Sequence, residues 1–226
     1  MSLLTVIADF FYPPTCPSCG VLMKRDGDWC PSCLAAVWHP RRINRSQQLK
    51  ALDACYCLAD YDGVMRRLIH AIKYKGREGK CRACRVLLDR FPWPERLKDI
   101  DMVVPVPLAP EKMKSRGFNQ VESLFKEWAD DHYRWADLLQ RLRPTEAQWH
   151  LPRSQRSENV HRAFGLRETA DVRDQHILLV DDIFTTGATL DCFSFTFFAN
   201  ASICAYPAEK SMGSSRSFFL TASRPS

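Results

Sequence analysis

The sequence predicts an α/β protein in which a parallel sheet flanked by helices follows a small cysteine-rich module. Three observations carry this. Met102-Val103-Val104-Pro105-Val106-Pro107-Leu108 and His176-Ile177-Leu178-Leu179-Val180 are continuous apolar runs, as expected of strands buried on both faces. Segments with apolar residues at helical spacing alternate with such strands, the chain order of a parallel sheet. Ahead of them, Cys16-x2-Cys19-x10-Cys30-x2-Cys33 forms two self-similar paired-thiol knuckles.

Met1 to Phe11 is apolar but short, carries Asp9, lacks a basic leader and runs into Tyr12-Pro13-Pro14 rather than a small-residue cleavage site. It is expected to belong to the mature fold. The knuckles follow, with spacing that allows four sulfurs to meet around one tetrahedral Zn²⁺, although the loop between them is a little shorter than the usual ribbon spacing. Free or redox-active thiols are the competing account. A region this small buries too little apolar surface to hold itself together, so a structural zinc would supply much of its folding free energy. Arg41 to Gln48 has no apolar period and reads as a linker. The expected division is residues 1–45 for the module and linker, 46–206 for the α/β domain and 207–226 for a divergent, poorly ordered tail.

Ala54 to Tyr61 reads as a strand, on which Cys55 and Cys57 share one face and are expected in the core. Val64, Leu68 and Ile72 then recur at helical spacing, and Gly76 would end that helix. A second helix is expected over about Lys80 to Phe91, stopped by Pro92 and Pro94, with Cys81 and Cys84 one turn apart as packing residues. The prolines of the Met102 to Leu108 run place its end at a sheet rim, where ladder donors are not required. Val121, Leu124, Phe125 and Trp128 make an amphipathic helix capped by Asn119 with Glu122. The strand His176 to Val180 is expected to end at Asp181-Asp182 and to pass through a Thr- and Gly-containing turn into a helix from about Ala188.

Size and composition set the outer limits. At 226 residues the chain can hold one sizeable α/β core and a minor module, but not two full enzyme domains. A hydrophobic share of 46% and a charged share of 26% exclude a disordered or fibrous protein. Every hydrophobic segment is interrupted by charge before the roughly 20 residues a membrane-spanning helix needs. With no export signal, ten cysteines fit metal binding in a reducing compartment better than disulfides, and a cytoplasmic protein is expected. From Arg41 to Lys98 there are 15 basic against 6 acidic residues, a local charge of +9 where the whole chain carries +6. Such an excess fits phosphate or nucleic-acid contacts, or simply the solvated face of amphipathic helices.

The candidate chemistry lies at Val180-Asp181-Asp182-Ile183-Phe184-Thr185-Thr186-Gly187-Ala188-Thr189. A buried strand that turns into a helix presents several backbone N–H groups at one point, which is a phosphate site. Gly187 admits close approach of an oxygen, and the hydroxyls of Thr185, Thr186 and Thr189 add donors. Asp181 and Asp182 are acceptors that suit a ribose diol. An Asp pair alone would equally serve as a cation site, a helix cap or solvated loop charge; the Thr-Thr-Gly-Ala-Thr stretch behind it is what favours a sugar phosphate.

That segment and a series of ordered points elsewhere carry a family resemblance. The points are Cys16/Cys19/Cys30/Cys33, Ile72-Lys73-Tyr74-Lys75-Gly76, Val104-Pro105-Val106-Pro107 and Arg116-Gly117-Phe118-Asn119-Gln120. They continue through Arg141-Leu142-Arg143-Pro144-Thr145, Gln148, Leu151, Arg156, Asn159-Val160 and Ala163-Phe164. Ile177 to Leu190 resembles the signature by which type I phosphoribosyltransferases bind 5-phosphoribosyl-1-pyrophosphate (PRPP), and the wider pattern resembles the ComF family of competence and DNA-utilisation proteins, which includes GntX. The resemblance implies a phosphoribosyltransferase-like fold. Asp181 and Asp182 would be its ribose-binding pair, and Thr185, Thr186, Gly187, Ala188 and Thr189 its 5-phosphate loop. Pro105 and Val106 would lie in a pyrophosphate-side loop with Arg116 reaching towards the anion, and Thr145, Gln148 and Arg156 in a flap over the site. Pyrophosphate would leave ribose C1 through an oxocarbenium-like state, with Mg²⁺ held mainly by pyrophosphate and ribose hydroxyls. The resemblance also implies a part in DNA uptake or DNA utilisation. The alternative is a non-catalytic zinc-containing adaptor that binds single-stranded DNA or a competence helicase.

After Leu190 the pattern breaks. Asp191-Cys192-Phe193-Ser194-Phe195-Thr196-Phe197-Phe198 places aromatic residues on every face of a would-be helix, and of the last residues only Phe218-Phe219-Leu220 resembles a core segment. A frameshifted or a divergent C-terminus fits this change.

Overall fold

The computed structural model describes residues 12–43, 54–75, 78–92, 100–142, 164–168, 172, 175–184 and 217–223. Its main sheet has six strands in the order β1-β2-β8-β7-β3-β4. These are β1 (Arg41–Arg42), β2 (Ala54–Asp60), β3 (Met102–Pro105), β4 (Arg134–Trp135), β7 (Ile177–Phe184) and β8 (Ser217–Ser223). Both expected apolar runs are central strands, parallel to one another with Met102 opposite Ile177 and Pro105 opposite Val180. Parallel pairing extends to β4 and stops there, while β1, β2 and β8 pair antiparallel. A second small sheet joins β5 (Leu139–Arg141) to β6 (Phe164–Leu166).

Side-chain alternation along the strands divides the core in two. Tyr56, Leu58, Val103, Leu178 and Val180 face one side of the sheet, where α2 (Gly63–Lys75), α3 (Glu78–Arg90) and α5 (Gln120–Asp130) cover them. Cys55, Cys57, Met102, Val104, Ile177 and Leu179 face the other, with Leu139 and Phe164 of the small sheet. Both cysteines of β2 are therefore apolar filler. Val121, Leu124, Phe125 and Trp128, picked out by their spacing, are the buried stripe of α5. Its cap is Asn119, whose side chain accepts the Val121 amide at 3.0 Å; Glu122 stays exposed. Arg85 of α3 reaches Asp131 at 2.6 Å and Asp89 at 3.1 Å, which ties α3 to the end of α5.

Four features differ from the sequence expectation. Arg41-Arg42 is not free linker but a short strand on β2, and Arg41 pairs with Asp60 at 2.6 Å. The chain after β3 includes a helix, α4 (Pro110–Arg116), started by Pro110 and closed by Gly117 in the left-handed region at φ 77. β7 does not stop at Val180 but continues to Phe184, because β8 extends its ladder: Asp181 lies opposite Phe219 and Phe184 opposite Ser217. β8 itself falls within residues 207–226, read above as a tail, and it sits between β2 and β7. The helix expected from Ala188 lies outside the described residues.

Candidate functional site

The cysteine knuckles are built by tight backbone turns. Cys16 N–H donates to the Val21 carbonyl at 2.8 Å and Gly20 N–H to the Cys16 carbonyl at 3.0 Å, with Gly20 at φ 76. The second knuckle runs directly into α1 (Pro31–Val37), whose first turn starts at Cys30. All four ligand sulfurs of Cys16, Cys19, Cys30 and Cys33 lie within 4.8 Å of one another, and Cys19 and Cys30 approach to 3.7 Å. Four sulfurs each about 2.3 Å from a tetrahedral zinc are about 3.8 Å apart along an edge, so the cluster fits the ion. Burial pushes the Cys16 thiol up, but the backbone amides of Cys19, Cys30 and Ser18 more than reverse this and bring it down to about 6. Cys33 is pulled down by the Ser18 hydroxyl, yet the sulfurs of Cys30 and Cys19 drive it up to about 12. A zinc ion takes its ligands as thiolates, so binding here releases the protons that Cys33 and its neighbours hold.

The knuckles are joined to the α/β core. Trp29 is 5% exposed and donates its indole N–H to the Ala83 carbonyl of α3 at 2.8 Å. Gly27 allows the approach: at φ 88, an added Cβ would lie 2.6 Å from Arg82 Cβ and 3.0 Å from the Ala83 backbone nitrogen. Gly27→Ala combines a strained backbone with overpacking and is expected to destabilise the protein by about 1–3 kcal/mol. A urea midpoint equal to the parent's would show that the approach can relax. Cys81 and Cys84 lie on the same helix as packing residues; burial, then Cys81, pushes the Cys84 thiol far up and keeps it inert.

The second constellation lies at the carboxyl ends of β3 and β7. From β3 the chain continues to β4 on one side, while β7 pairs on its far side with β8, so these two neighbours form a switch point of the parallel segment. Such crevices are where open α/β sheets bind ligands. Pro105 and Val106 are buried at its edge, and Val106 N–H donates to the Val180 carbonyl at 3.0 Å. Between Asp181 and Phe184, β7 advances three residues while β8 advances two, which leaves a bulge beside the acidic pair. Asp182 shares the face of Leu178 and Val180, towards α2, and its Oδ2 lies 2.5 Å from Lys73 Nζ. Its backbone N–H donates to Asp181 Oδ1 at 2.7 Å. Burial first, then the neighbouring Asp182, raises the Asp181 carboxyl well above the usual aspartate range.

Positive charge surrounds this pair. Arg116, which sequence reading assigned to the anion, donates to Gln120 Oε1 at 2.8 Å and so spans the α4–α5 corner. Lys112, one turn earlier on α4, is pushed down by burial and then by Arg116, Lys73 and Arg141, while Asp182 pulls the other way. Arg141 sits over the Phe164 ring at 5.0 Å and is lowered by burial against the opposing pull of Glu111. The sequence assigns no site role to Lys73, Lys112 or Arg141; the Ile72 to Gly76 and Arg141 to Thr145 motif points contain Lys73 and Arg141, and nothing in the sequence points at Lys112. Thr185, Thr186, Gly187, Ala188, Thr189, Thr145, Gln148 and Arg156 lie outside the described residues. Of the basic excess between Arg41 and Lys98, Arg41, Lys73 and Arg85 are engaged in ion pairs, whereas Arg66, Arg67 and Arg82 are exposed. No described helix is long and apolar enough to cross a membrane.

Comparison with known proteins adds four findings. Residues 7–44 match the double zinc ribbon domain; that span holds four cysteines, a full set for one zinc ion. The DNA utilization protein YhgH of Escherichia coli (strain K12) is 30% identical over 185 residues, covering 77% of this chain and 80% of that protein. Competence protein F of Haemophilus influenzae is 24% identical over 189 residues, 79% of this chain and 76% of that protein. Competence protein ComFC of Streptococcus pneumoniae is 35% identical over 97 residues, 43% of this chain and 41% of that protein.

Proposed function

The chain belongs to the family of the DNA utilization protein YhgH and the competence proteins F and ComFC, and on that premise we propose that it binds PRPP, with Mg²⁺, at the carboxyl ends of β3 and β7 in the service of DNA uptake or utilisation. The observation that carries this reading is the bulged Asp181-Asp182 pair at the switch point, with Lys73 on Asp182, Lys112 within its electrostatic reach, and Arg116 and Arg141 around Lys112. A pentose bearing phosphates needs both parts. Its hydroxyls donate to the carboxyls, and its anionic groups meet the cations in a partly enclosed site where charge is weakly screened. Mg²⁺, bound together with the ligand, would neutralise pyrophosphate charge. Lys112, Arg116 and Arg141 then stabilise the leaving anion, and the carboxyls fix the ring so that C1 faces an incoming acceptor. Thr185 to Thr189 would hold the 5-phosphate.

Calorimetric titration with PRPP and Mg²⁺ tests the reading. Saturable binding is expected, weakened at least about tenfold in Asp182→Asn, since a hydrogen bond to a charged group is worth about 1.5–3 kcal/mol. A parent protein that gives no heat would sink it. Pyrophosphate release screened over acceptors then separates an enzyme from a binding protein.

The adaptor alternative is favoured by the exposed Tyr12, Val21 and Leu22 on the zinc module and by the exposed Arg66, Arg67 and Arg82. In that reading single-stranded DNA or a helicase partner docks there. DNA affinity should fall steeply with added salt, and a flat dependence would argue against phosphate contacts.

A further inference from the structure

The two carboxyls of the acidic pair have different surroundings. Asp182 is enclosed on the helix-covered face of the sheet, and its side chain and that of Lys73 are 7% and 17% exposed. Their 2.5 Å contact is an ion pair rather than a directed hydrogen bond, for Oδ2 takes no hydrogen bond of normal geometry. Among the described residues no cation lies at contact distance from Asp181; its Oδ1 accepts the Asp182 amide. Among the described residues, the charged groups that act on the pair are Lys73 from α2 and Lys112 from α4; Arg116 of α4 and Arg141 of β5 act on Lys112, and Glu111 on Arg141. Asp181 beside Asp182 is half-buried, and two carboxylates this close cannot both ionise cheaply. Burial and Asp182 favour a proton on Asp181 against the smaller opposing effects of the Asp182 amide and Lys73.

Resting on the sugar-phosphate reading of the site, we propose that Lys73 is a positioning residue that commits Asp182 to be the anionic acceptor and leaves the single proton of the pair on Asp181. A vicinal diol then meets one carboxylate and one carboxylic acid. The carboxylate accepts from one hydroxyl, and the acid both donates and accepts at the other. A polyanionic ligand is also repelled by one negative charge rather than two. Lys73 belongs to the first half of the chain, so α2 controls the chemistry of a strand end more than 100 residues away in sequence.

The test begins on ligand-free protein carrying ¹³C-labelled aspartate. Carboxyl shifts followed against pH should show Asp181 alone moving in a step above the ordinary carboxylate range. In Lys73→Met both Asp181 and Asp182 should move in the upper of the pair's two macroscopic steps, as carboxyls do when they share a proton, and Lys73→Arg should restore the parent pattern. A high-pH step on Asp182 in the parent, or an unchanged pattern in Lys73→Met, would overturn the inference. Should Lys73→Met not fold, Lys73→Gln serves, and PRPP affinities give a second measure. Asp182→Asn should lose at least about tenfold more affinity than Asp181→Asn, whose amide resembles a neutral acid; equal losses would contradict the division of roles. A parent protein that binds no PRPP sinks the sugar-phosphate reading, while the ligand-free titration still decides where the proton sits.

Discussion

Removing zinc, with a strong chelator or by Cys30→Ser, is expected to unfold far more than the N-terminal knuckles. Structural zinc contributes about 10–16 kcal/mol of apparent binding free energy in small cysteine modules, as much as the whole stability of a typical domain. Here that energy is coupled to the α/β core. Cys16 and Trp29 belong to the same buried cluster as Leu58, Ile69, Leu87 and Trp128. The Trp29 indole satisfies the Ala83 carbonyl of α3, and the chain leaving α1 goes on as β1 along β2. Without the metal, four gathered thiols repel or hold their protons, the turn at Gly27 loses its anchor, and a large apolar face of α3 is uncovered. Hydrogen exchange with and without chelator should therefore lose protection in α3 and β2 by at least about a hundredfold, not only in residues 12–43. If exchange in α3 and β2 were unaffected by metal removal, the module would be an independent appendage.

What the sequence discloses about this arrangement follows from which physics is local. Cysteine spacing, the apolar runs at Val104 and Leu179 and the 3.6-residue period of α5 are written within a few residues, and each reappears in the structure. Asp181 and Asp182 stand out for the same reason. The cations that complete the site do not. Lys73, Lys112 and Arg141 come from three separate elements and look like ordinary solvated charge until α2, α4 and β5 converge. Arg41-Arg42 and Ser217–Ser223 were read as linker and tail because a strand that borrows its partners from distant chain needs no period of its own. Gly27 likewise gives no sign in sequence that a helix backbone lies against it.

Asp181→Asn is expected to make the protein more stable in neutral and mildly alkaline solution while weakening its ligand site. In the unfolded chain this carboxyl ionises near the ordinary aspartate value of about 3.9. In the folded protein, burial and then Asp182 raise it well above that. Between the two values the native state holds a proton that the unfolded chain has released, so this group subtracts stability progressively as pH rises. Below the unfolded value it subtracts nothing, and above the folded value the full penalty of a second negative charge beside Asp182 remains. Asparagine carries no titratable proton and removes that slope. Groups remote from the pair contribute equally to parent and variant, so the difference in melting temperature between the two isolates the Asp181-Asp182 pair. It should be small near pH 4 and widen towards pH 8 in favour of Asp181→Asn. Parallel profiles, or a variant less stable at pH 8, would mean that the acid is not enclosed as described. A carboxyl whose replacement strengthens the fold and weakens the ligand is not there for packing. On the proposed reading, that cost to stability is what would tie the bulged end of β7 to binding.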